Sequence, residues 1–396
     1  AEWQKEIGKL CIGNPLLLHA VSFSLAGPLL KILHVDNGGF HYFAESSTGK
    51  TTALLVAISL WGKPKQFIRT WRATSNGLES ISTDRNDTIL VLDELGEANP
   101  NEVSQVVYAI TNGTGKQRSN KNGTSQEVAT WRQTILSSGE LSPETIISQS
   151  SQTAQAGVLL RLIDINCNHK FGLFDELHQF NSGRELSDHL KCLSELNYGI
   201  VGPLFIEKLI QLDHKKLNNE FAEVRSLFTC NHDQENRPAT RFALAAFAGE
   251  LAISIGLLPW PERSALTASL GLFREWQAAR GKRSIEDQKI LTSIMNYVYR
   301  YGDSRFSALN APGKSISDRT GWWRMDENSE KRVWMFTPGG LQQATQTNDV
   351  KPVIRALNNA GWIVAKDTGK NSKFTYIPGD SKKRLYHITV EEMINE

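Results

Sequence analysis

Cysteine is scarce in this sequence of 396 residues, and the few that occur lie far apart. A disulfide framework requires more closely spaced cysteines in a shorter chain, so the pattern predicts free thiols in a reducing compartment, the cytoplasm. Zinc binding by Cys167-Asn168-His169 and Cys230-Asn231-His232 is an alternative, but no CxxC pair accompanies them. The four cysteines are Cys11, Cys167, Cys192 and Cys230.

An excess of charge of either sign is also missing. Lys and Arg together number 44 and Asp and Glu 42, which gives a formal net charge of +2. This balance excludes a protein that binds nucleic acid through its overall charge, so any such surface must be local.

Long apolar runs are limited to one segment, residues 15–33. It contains His19, Gly27-Pro28 and Lys31, which are unfavourable in a single helix exposed to lipid. The segment therefore predicts helices packed on a protein core, broken near Gly13-Asn14-Pro15 and Gly27-Pro28, and no membrane partner.

What the sequence does contain is an alternation of strands and helices. Apolar runs predict buried strands at 40–43, 88–92, 133–136 and 158–165. Helical periodicity is predicted at 51–60 and 103–111, and again over 174–299. Continuous apolar strands between helices are typical of an α/β protein with a parallel sheet.

A phosphate-binding loop follows the first predicted strand. The motif requires Gly, four residues and then Gly-Lys-Ser/Thr, and only the first position differs, being Ala44. Glycine there would be favoured by about 1–2 kcal/mol if the residue needs a positive φ. Backbone amides and the following helix would bind the phosphates of ATP. The predicted nucleotide-binding residues are Ala44, Glu45, Ser46, Ser47, Thr48, Gly49, Lys50, Thr51 and Thr52.

Two carboxylates end the strand at 88–92. Asp93 is predicted to bind Mg²⁺ together with the Thr51 hydroxyl, and Glu94 to act as general base towards water. A strand that simply ends in a charged turn is the alternative, and the presence of Lys50 argues against it. Together these residues predict hydrolysis of ATP rather than binding alone.

Three further polar residues have candidate roles. Ser137 and Ser138 end the next strand, where either hydroxyl could contact the γ-phosphate or water; ordinary serines at a strand end are the alternative. Arg161 lies in an apolar run and needs a partner. It is predicted either to form an internal salt bridge, for example with Asp164, or to reach a neighbouring subunit's ATP.

With these residues in view, the chain resembles the AAA+ helicase-like ATPases of bacterial mobile elements, a family labelled a domain of unknown function and related to the minichromosome-maintenance (MCM) replicative helicases. The Arg69-Thr70-Trp71-Arg72-Ala73-Thr74 block is its most specific match, beside Gly49-Lys50-Thr51 and Leu92-Asp93-Glu94. Family members usually have glycine in place of Ala44. The resemblance implies a bacterial, ring-forming homo-hexamer with ATP between subunits. It also implies that Arg161 acts in trans and that Arg241, or less favourably Arg237, is a second sensor.

The resemblance also implies a domain order. We expect an α/β AAA+ P-loop NTPase core with a parallel sheet, a helical lid and a C-terminal winged-helix domain. The ranges are N-terminal helices at 1–33, the core at 34–172, the lid at 173–302, a linker at 303–320 and the winged-helix-like domain at 321–396.

Two basic segments are candidates for DNA binding. The first lies in a predicted hairpin with Asn122-Gly123 as its turn. We expect this hairpin to point into a ring pore that holds single-stranded DNA. Its basic residues are Lys116, Arg118 and Lys121. The second is the basic turn of the C-terminal strand pair, predicted for duplex DNA, and consists of Lys382, Lys383 and Arg384. A solvated loop is the alternative for the first segment, and a protein contact for the second.

The leading prediction is therefore an ATP-driven ring helicase or translocase acting on DNA in the replication of a mobile element or phage. An AAA+ protein remodeller or loader, or an ATPase scaffold without unwinding activity, is the alternative.

Overall fold

The chain is described by a computed structural model that covers residues 2–116, 127–150, 156–281, 284–310, 316–326 and 331–390. It divides into two compact units, residues 1–279 and 280–396. No described helix is both long and apolar enough to cross a bilayer.

A five-stranded parallel sheet forms the centre of the first unit, which is therefore of the predicted α/β type. Its order is β2-β3-β4-β1-β5, and all its pairings are parallel. Its strands are β1 (Gly38–Phe43), β2 (Arg69–Thr70), β3 (Thr88–Asp93), β4 (Gln133–Gly139) and β5 (Leu162–Asn166).

The fourth strand prediction is wrong in its first half. Residues Ala156–Leu159 form a short helix, α8, and the strand begins at Leu162. Leu159 and Leu160 are as buried as the strand that follows. An apolar run of this length fits either element, so periodicity alone cannot place the boundary.

Close packing at the start of β1 requires glycine. A side chain at Gly39 would place its Cβ only 2.0 Å from the Ile135 carbonyl oxygen of neighbouring β4. The Gly38-Gly39 pair therefore lets β1 sit between β4 and β5 at the centre of the sheet.

Helices pack against this sheet. Two helices, α1 (Pro15–Ser24) and α2 (Leu29–Ile32), precede β1. Those between the strands are α3 (Lys50–Ser59), α4 (Pro64–Phe67), α5 (Ser75–Asp84), α6 (Val103–Asn112), α7 (Pro143–Ser148) and α8. The breaks predicted near residues 13–15 and 27–28 are confirmed. His19 of α1 lies in a buried aromatic cluster with Phe23, Phe40 and Phe242, so the apolar N-terminal segment is part of the core.

The rest of the first unit is helical, as predicted. It contains α9 (Gly183–Leu196), α10 (Val201–Leu209), α11 (His214–Ser226), α12 (Asn236–Ser254) and α13 (Ser264–Arg280). Helix α12 is buried along most of its length. Single turns at Gln4–Gly8, Lys9–Cys11, Leu95–Glu97 and Asp233–Glu235 complete the unit.

The second unit combines a six-stranded sheet with three helices. Its strands are β6 (Phe306–Ala308), β7 (Gly321–Met325), β8 (Arg332–Phe336), β9 (Ile363–Ala365), β10 (Lys373–Tyr376) and β11 (Lys382–Thr389). Its helices are α14 (Ile285–Arg305), α15 (Pro338–Thr345) and α16 (Val350–Asn359). The strand order is β10-β11-β8-β7-β6, and β9 also pairs with β11.

The apolar core of this unit joins the helices to the sheet, through residues such as Leu291, Trp334 and Leu357. The predicted C-terminal strand pair is confirmed as the antiparallel β10–β11 hairpin, which follows helix α16. The range 303–320, predicted as a linker, contains the end of α14 and also β6, which pairs with β7.

Candidate nucleotide-binding site

The predicted phosphate loop connects β1, which ends at Phe43, to α3, which begins at Lys50. Gly49 has φ +100°, a conformation that glycine adopts without steric cost. The other left-handed residue of the loop is Ser47, with φ 64°. Ala44 is not among the described residues with positive φ, so the alanine at the first glycine position causes no strain of that kind.

Lys50 is only 7 % exposed, and its ammonium group lies inside the loop. It donates to the carbonyl oxygens of Ala44 and Glu45 at 2.9 and 2.6 Å, and to Thr48 Oγ1 at 3.3 Å. An ammonium group has three donors, and the loop supplies an acceptor for each of them. The arrangement places a positive charge at the N-terminus of α3, where anions are already favoured.

Backbone contacts fix the loop on two sides. The Ala44 amide donates to the Gly139 carbonyl at the end of β4, and the Leu173 amide donates to the Thr48 carbonyl at 2.7 Å. Gly172 lies so close that a Cβ there would be 2.6 Å from the same Thr48 oxygen. The segment after β5 is therefore part of the wall of the site.

Asp93 brings three elements together at the carboxyl edge of the sheet. Its Oδ1 atom accepts hydrogen bonds from Thr51 Oγ1 at 3.3 Å and from Ser138 Oγ. Two hydroxyls and a carboxylate are the hard oxygen donors that Mg²⁺ prefers, so these residues fit the predicted metal site. A parallel sheet places the ends of β3 and β4 side by side, which explains the meeting of Asp93 and Ser138.

Glu94 follows immediately in a left-handed conformation, with φ 59°, and is half-buried. Partial burial raises the pKa of its carboxyl group, and the neighbouring Asp93 charge raises it further. A raised pKa makes a carboxylate a stronger base, which is the property that a general base requires.

The two serines of β4 have different surroundings. Ser138 contacts Asp93, whereas Ser137 Oγ accepts from Trp71 Nε1 at 2.8 Å and lies 2.8 Å from His41 Nδ1. His41 Nε2 lies 3.0 Å from the Leu141 carbonyl oxygen, and burial lowers the pKa of His41 to about 4. The structure therefore brings Ser138 to the carboxylates, and Ser137 forms a buried bridge between strands.

A cavity of about 450 Å³ opens over the phosphate loop. Residues 46–52 and Glu94 line it, and so do several residues that the sequence did not single out. Arg184 and Lys191 of α9 lie 3.9 and 3.4 Å from Asp188 oxygens. Arg184 precedes Asp188 by four residues and Lys191 follows it by three, a spacing that predicts one shared helix face. The newly found lining residues are Glu140, Arg184, Ser187, Asp188 and Lys191.

Arg161 and Arg241 lie at the other edge of the sheet, where β1 and β5 begin. Arg161 donates to the Gly157 carbonyl oxygen at 3.0 Å, and its guanidinium group lies 4.6 Å from the Tyr108 ring centroid. Both arginines line a second cavity, of about 670 Å³. The structure does not bring either residue to the phosphate loop of the same chain.

Arg241 is buried and bonded to backbone carbonyl oxygens of three residues. It donates to Leu160 at 3.1 Å, Arg161 at 3.3 Å and Asn37 at 2.9 Å. Burial lowers the pKa of its guanidinium group to about 10, with Arg161 and Arg237 adding to the effect. These contacts fasten α12 to the starts of β1 and β5.

The predicted DNA-binding residues are described in part. Lys116 is exposed, with its Nζ 3.2 Å from Ser75 Oγ, while Arg118 and Lys121 lie outside the described residues. Lys382, Lys383 and Arg384 begin strand β11. Lys383 is paired with Asp380 at 2.6 Å, and Arg384 lies 3.5 Å from Asp367.

The class of fold defined here is an α/β protein built on a five-stranded parallel sheet. Residues 1–130 match a family described as a domain of unknown function (DUF927). A solved structure described as "SCCmec type IV Cch - active helicase" has a TM-score of 0.74 at 22 % identity, over 98 % of this chain and 69 % of that one. At this identity, the likeness is one of fold.

NtrX from Brucella abortus is similar over a smaller part of the chain. Its complex with ADP has 14 % identity over 63 % of this chain and 66 % of that one, with a TM-score of 0.24. Its complex with ATP has 13 % identity over 63 % and 67 %, with a TM-score of 0.25. These scores are too low to support an argument. No curated protein matches the chain.

Proposed function

We propose that this chain is an ATP-driven helicase or translocase that acts on DNA. The observation that carries the proposal is the meeting of Thr51, Asp93 and Ser138 beside a phosphate loop that holds Lys50. The fold it shares with a protein described as an active helicase supports the same conclusion.

Each residue of the site has a distinct task in this proposal. Lys50 exchanges its loop carbonyl oxygens for the β- and γ-phosphate oxygens, while the amides of residues 45–51 bind the same phosphates. Thr51 and Asp93 hold Mg²⁺, which neutralises charge on the phosphates. Glu94 orients the attacking water and accepts its proton, and Ser138 fixes the Asp93 carboxylate. Arg184 and Lys191 provide further positive charge at the rim.

Arg161 acts on a neighbouring subunit in this proposal. It lies at the opposite edge of the sheet from its own phosphate loop, it is half-buried, and it lines an open cavity. A ring that places this edge against the carboxyl edge of the next subunit would complete each site with one arginine. We therefore propose a homo-hexameric ring of the AAA+ class, related to the MCM helicases, with the helical region 173–302 as its lid.

The remaining parts of the proposal concern DNA. Lys116, Arg118 and Lys121 contact the phosphates of a single strand in the ring pore. Residues 321–396 form a winged-helix-like domain with Lys382, Lys383 and Arg384 on its hairpin. Contacts of this kind are independent of sequence and weaken with salt. The biological setting is replication of a mobile element or phage in the bacterial cytoplasm.

The first test is binding of Mg·ATP by calorimetry. Replacement of Lys50 by alanine should weaken binding at least about a hundredfold, because charge-assisted hydrogen bonds contribute about 1.5–3 kcal/mol each. Lys65→Ala, an exposed lysine just beyond α3, is the matched control and should bind normally. Equal affinities for wild type and Lys50→Ala would contradict the assignment of the site.

The second test separates DNA translocation from protein remodelling. Glu94→Gln should lower the rate of ATP hydrolysis by about a hundredfold or more and keep nucleotide binding, whereas Glu97→Gln in the next, exposed turn should hydrolyse normally. Single-stranded DNA should increase the wild-type rate. A rate of ATP hydrolysis that is the same with and without DNA would favour a protein remodeller or loader.

A further inference from the structure

One face of the β10–β11 hairpin combines aromatic and basic side chains. The antiparallel register pairs Phe374 with Arg384 and Tyr376 with Lys382. Directly paired residues lie on the same face of a sheet, and residues two apart on one strand do so as well. These four side chains therefore form a single surface, which we call the hairpin face.

Both aromatic rings of the hairpin face are open to solvent. Phe374 is 54 % exposed and Tyr376 is 62 % exposed, whereas Phe306, Trp334 and Phe336 in the same unit are buried. The guanidinium carbon of Arg384 lies 4.0 Å from the centroid of the Phe374 ring. One side of that ring is therefore covered by a cation, and the exposed area remains available for a flat partner.

The charge around the hairpin face is strongly positive. Residues 366–384 contain six basic and two acidic residues, so the segment carries +4 in a chain whose total is +2. The two acids are engaged with Lys383 and Arg384. Lys373 and Lys382 are exposed at the ends of the two paired strands. A polyanion with flat rings complements both features of this surface. An acidic partner without rings would contact only the basic residues, and a neutral apolar partner would contact only the aromatic rings.

We propose that the hairpin face binds single-stranded DNA, with bases stacked on Phe374 and Tyr376 and phosphates bound by Lys382 and Arg384. This deepens the proposed function, on which it rests for the choice of DNA. The two rings are about 7 Å apart along β10, which suits neighbouring bases of an extended strand. In a duplex the base faces are already stacked on each other, so only the phosphates would be recognised. Sequence-tolerant stacking beside basic residues is a general mode of single-strand binding.

The test compares three fluorescent probes with the full chain in the absence of nucleotide. They are a 20-mer of oligothymidylate, a strand of the same length with abasic sites in place of its bases, and a blunt duplex. Wild type should bind the oligothymidylate at least about tenfold more tightly than the abasic strand, the change expected from stacked bases. The doubly substituted Phe374→Ala/Tyr376→Ala variant should bind the oligothymidylate and the abasic strand with equal affinity. Its affinity for the duplex should equal that of wild type.

The controls separate stacking from folding and from charge. Tyr299→Ala removes an aromatic ring that is 68 % exposed on α14 and should leave the preference for bases unchanged. Phe374→Trp/Tyr376→Trp should preserve it. Lys382→Ala should weaken binding of all three probes. An undiminished base preference in the alanine variant, or an equal loss on duplex and single strand, would overturn the proposal.

The outcome is independent of the ATP site. Because the binding assay contains no nucleotide, a wild-type chain that binds no Mg·ATP would overturn the proposed function and leave the base preference intact. Conversely, loss of the preference with normal nucleotide binding would overturn only the assignment of the hairpin face.

Discussion

The adjacent residues Ser137 and Ser138 have different roles beside the phosphate loop. Thr51, Asp93 and Ser138 meet at one carboxylate oxygen, and the adjacent Ser137 instead joins His41 and Trp71. The sequence placed both serines at the end of a strand. Adjacent residues of a strand point to opposite faces, so only one of them could reach Asp93, and the sequence does not tell which.

The buried histidines predict a dependence of stability on pH. Burial lowers the pKa of His41 to about 4 and that of His19 to about 3, whereas in the unfolded chain each returns to about 6.5. Below pH 6.5 the unfolded state therefore binds the extra protons, and the free energy of unfolding falls as the pH is lowered. The expected loss is about 2 kcal/mol per histidine between pH 7 and pH 5.

Urea unfolding at the two pH values measures this loss. A His41→Asn variant should show a smaller decrease than wild type by about that amount. The exposed His214→Asn should behave as wild type. If the free energy of unfolding of His41→Asn falls as much as that of wild type between pH 7 and pH 5, the assignment of His41 as a buried neutral histidine is wrong.

Arg241 fastens helix α12 to the sheet, so its replacement should lower the stability of the fold. Arg241→Leu would remove the donor from the carbonyl oxygens of Leu160 and Asn37 in a buried site, where each unpaired group costs about 1–3 kcal/mol. The Arg161 carbonyl oxygen would keep its bond from the Gly39 amide. We expect a loss of about 3 kcal/mol or more in the free energy of unfolding. The affinity of the folded protein for Mg·ATP should be unchanged.

Arg237→Leu is the matched control for this experiment. Arg237 lies one turn earlier in α12 and is exposed, so its replacement should change stability little. Chemical unfolding and calorimetry of both variants distinguish the two roles considered for Arg241. Normal stability with weakened nucleotide binding would favour a sensor over an anchor.

The elements most accessible to prediction were those with a single physical explanation. Helix α3 and strand β3 are long, regular and bounded by the motif residues, and both were predicted within a residue of their ends. The α8–β5 boundary was not, because Val158 to Leu160 are equally apolar in a helix or a strand. The wall formed by Gly172 and Leu173, and the lining residues of α9, depend on contacts between segments that are distant in sequence.

At the scale of the whole molecule, the two edges of the sheet carry different parts of the proposed site. Mixing Arg161→Ala subunits with Glu94→Gln subunits should restore part of the ATP hydrolysis that each variant has lost. Some interfaces in a mixed assembly would pair an intact Arg161 with an intact Glu94, so both contributions are present at one nucleotide. Hydrolysis rates across mixing ratios measure this recovery, with mass determination of the assembly beside them.

Each parent variant alone is the reference for that experiment, and two Glu94→Gln preparations mixed together are its control. A rate that stays at the sum of the parents at every ratio would indicate that Arg161 serves only its own chain through Gly157 and Tyr108. From the sequence, the apolar surroundings of Arg161 indicated that it needs a partner, and the family resemblance implied a role in trans. That Arg161 lies far from its own phosphate loop is seen only in the structure, from the parallel register of β1 with β5.

The hydrogen bond from the Leu173 amide to the Thr48 carbonyl has a consequence for how the first unit can respond to a change in the loop. Both groups belong to the main chain, so no exchange of side chains removes the bond, except for proline at position 173. A shift of the turn at Thr48 would therefore also displace Leu173, which lies ten residues before Gly183, the first residue of α9. Main-chain atoms alone thus couple the phosphate loop to the segment that leads into α9.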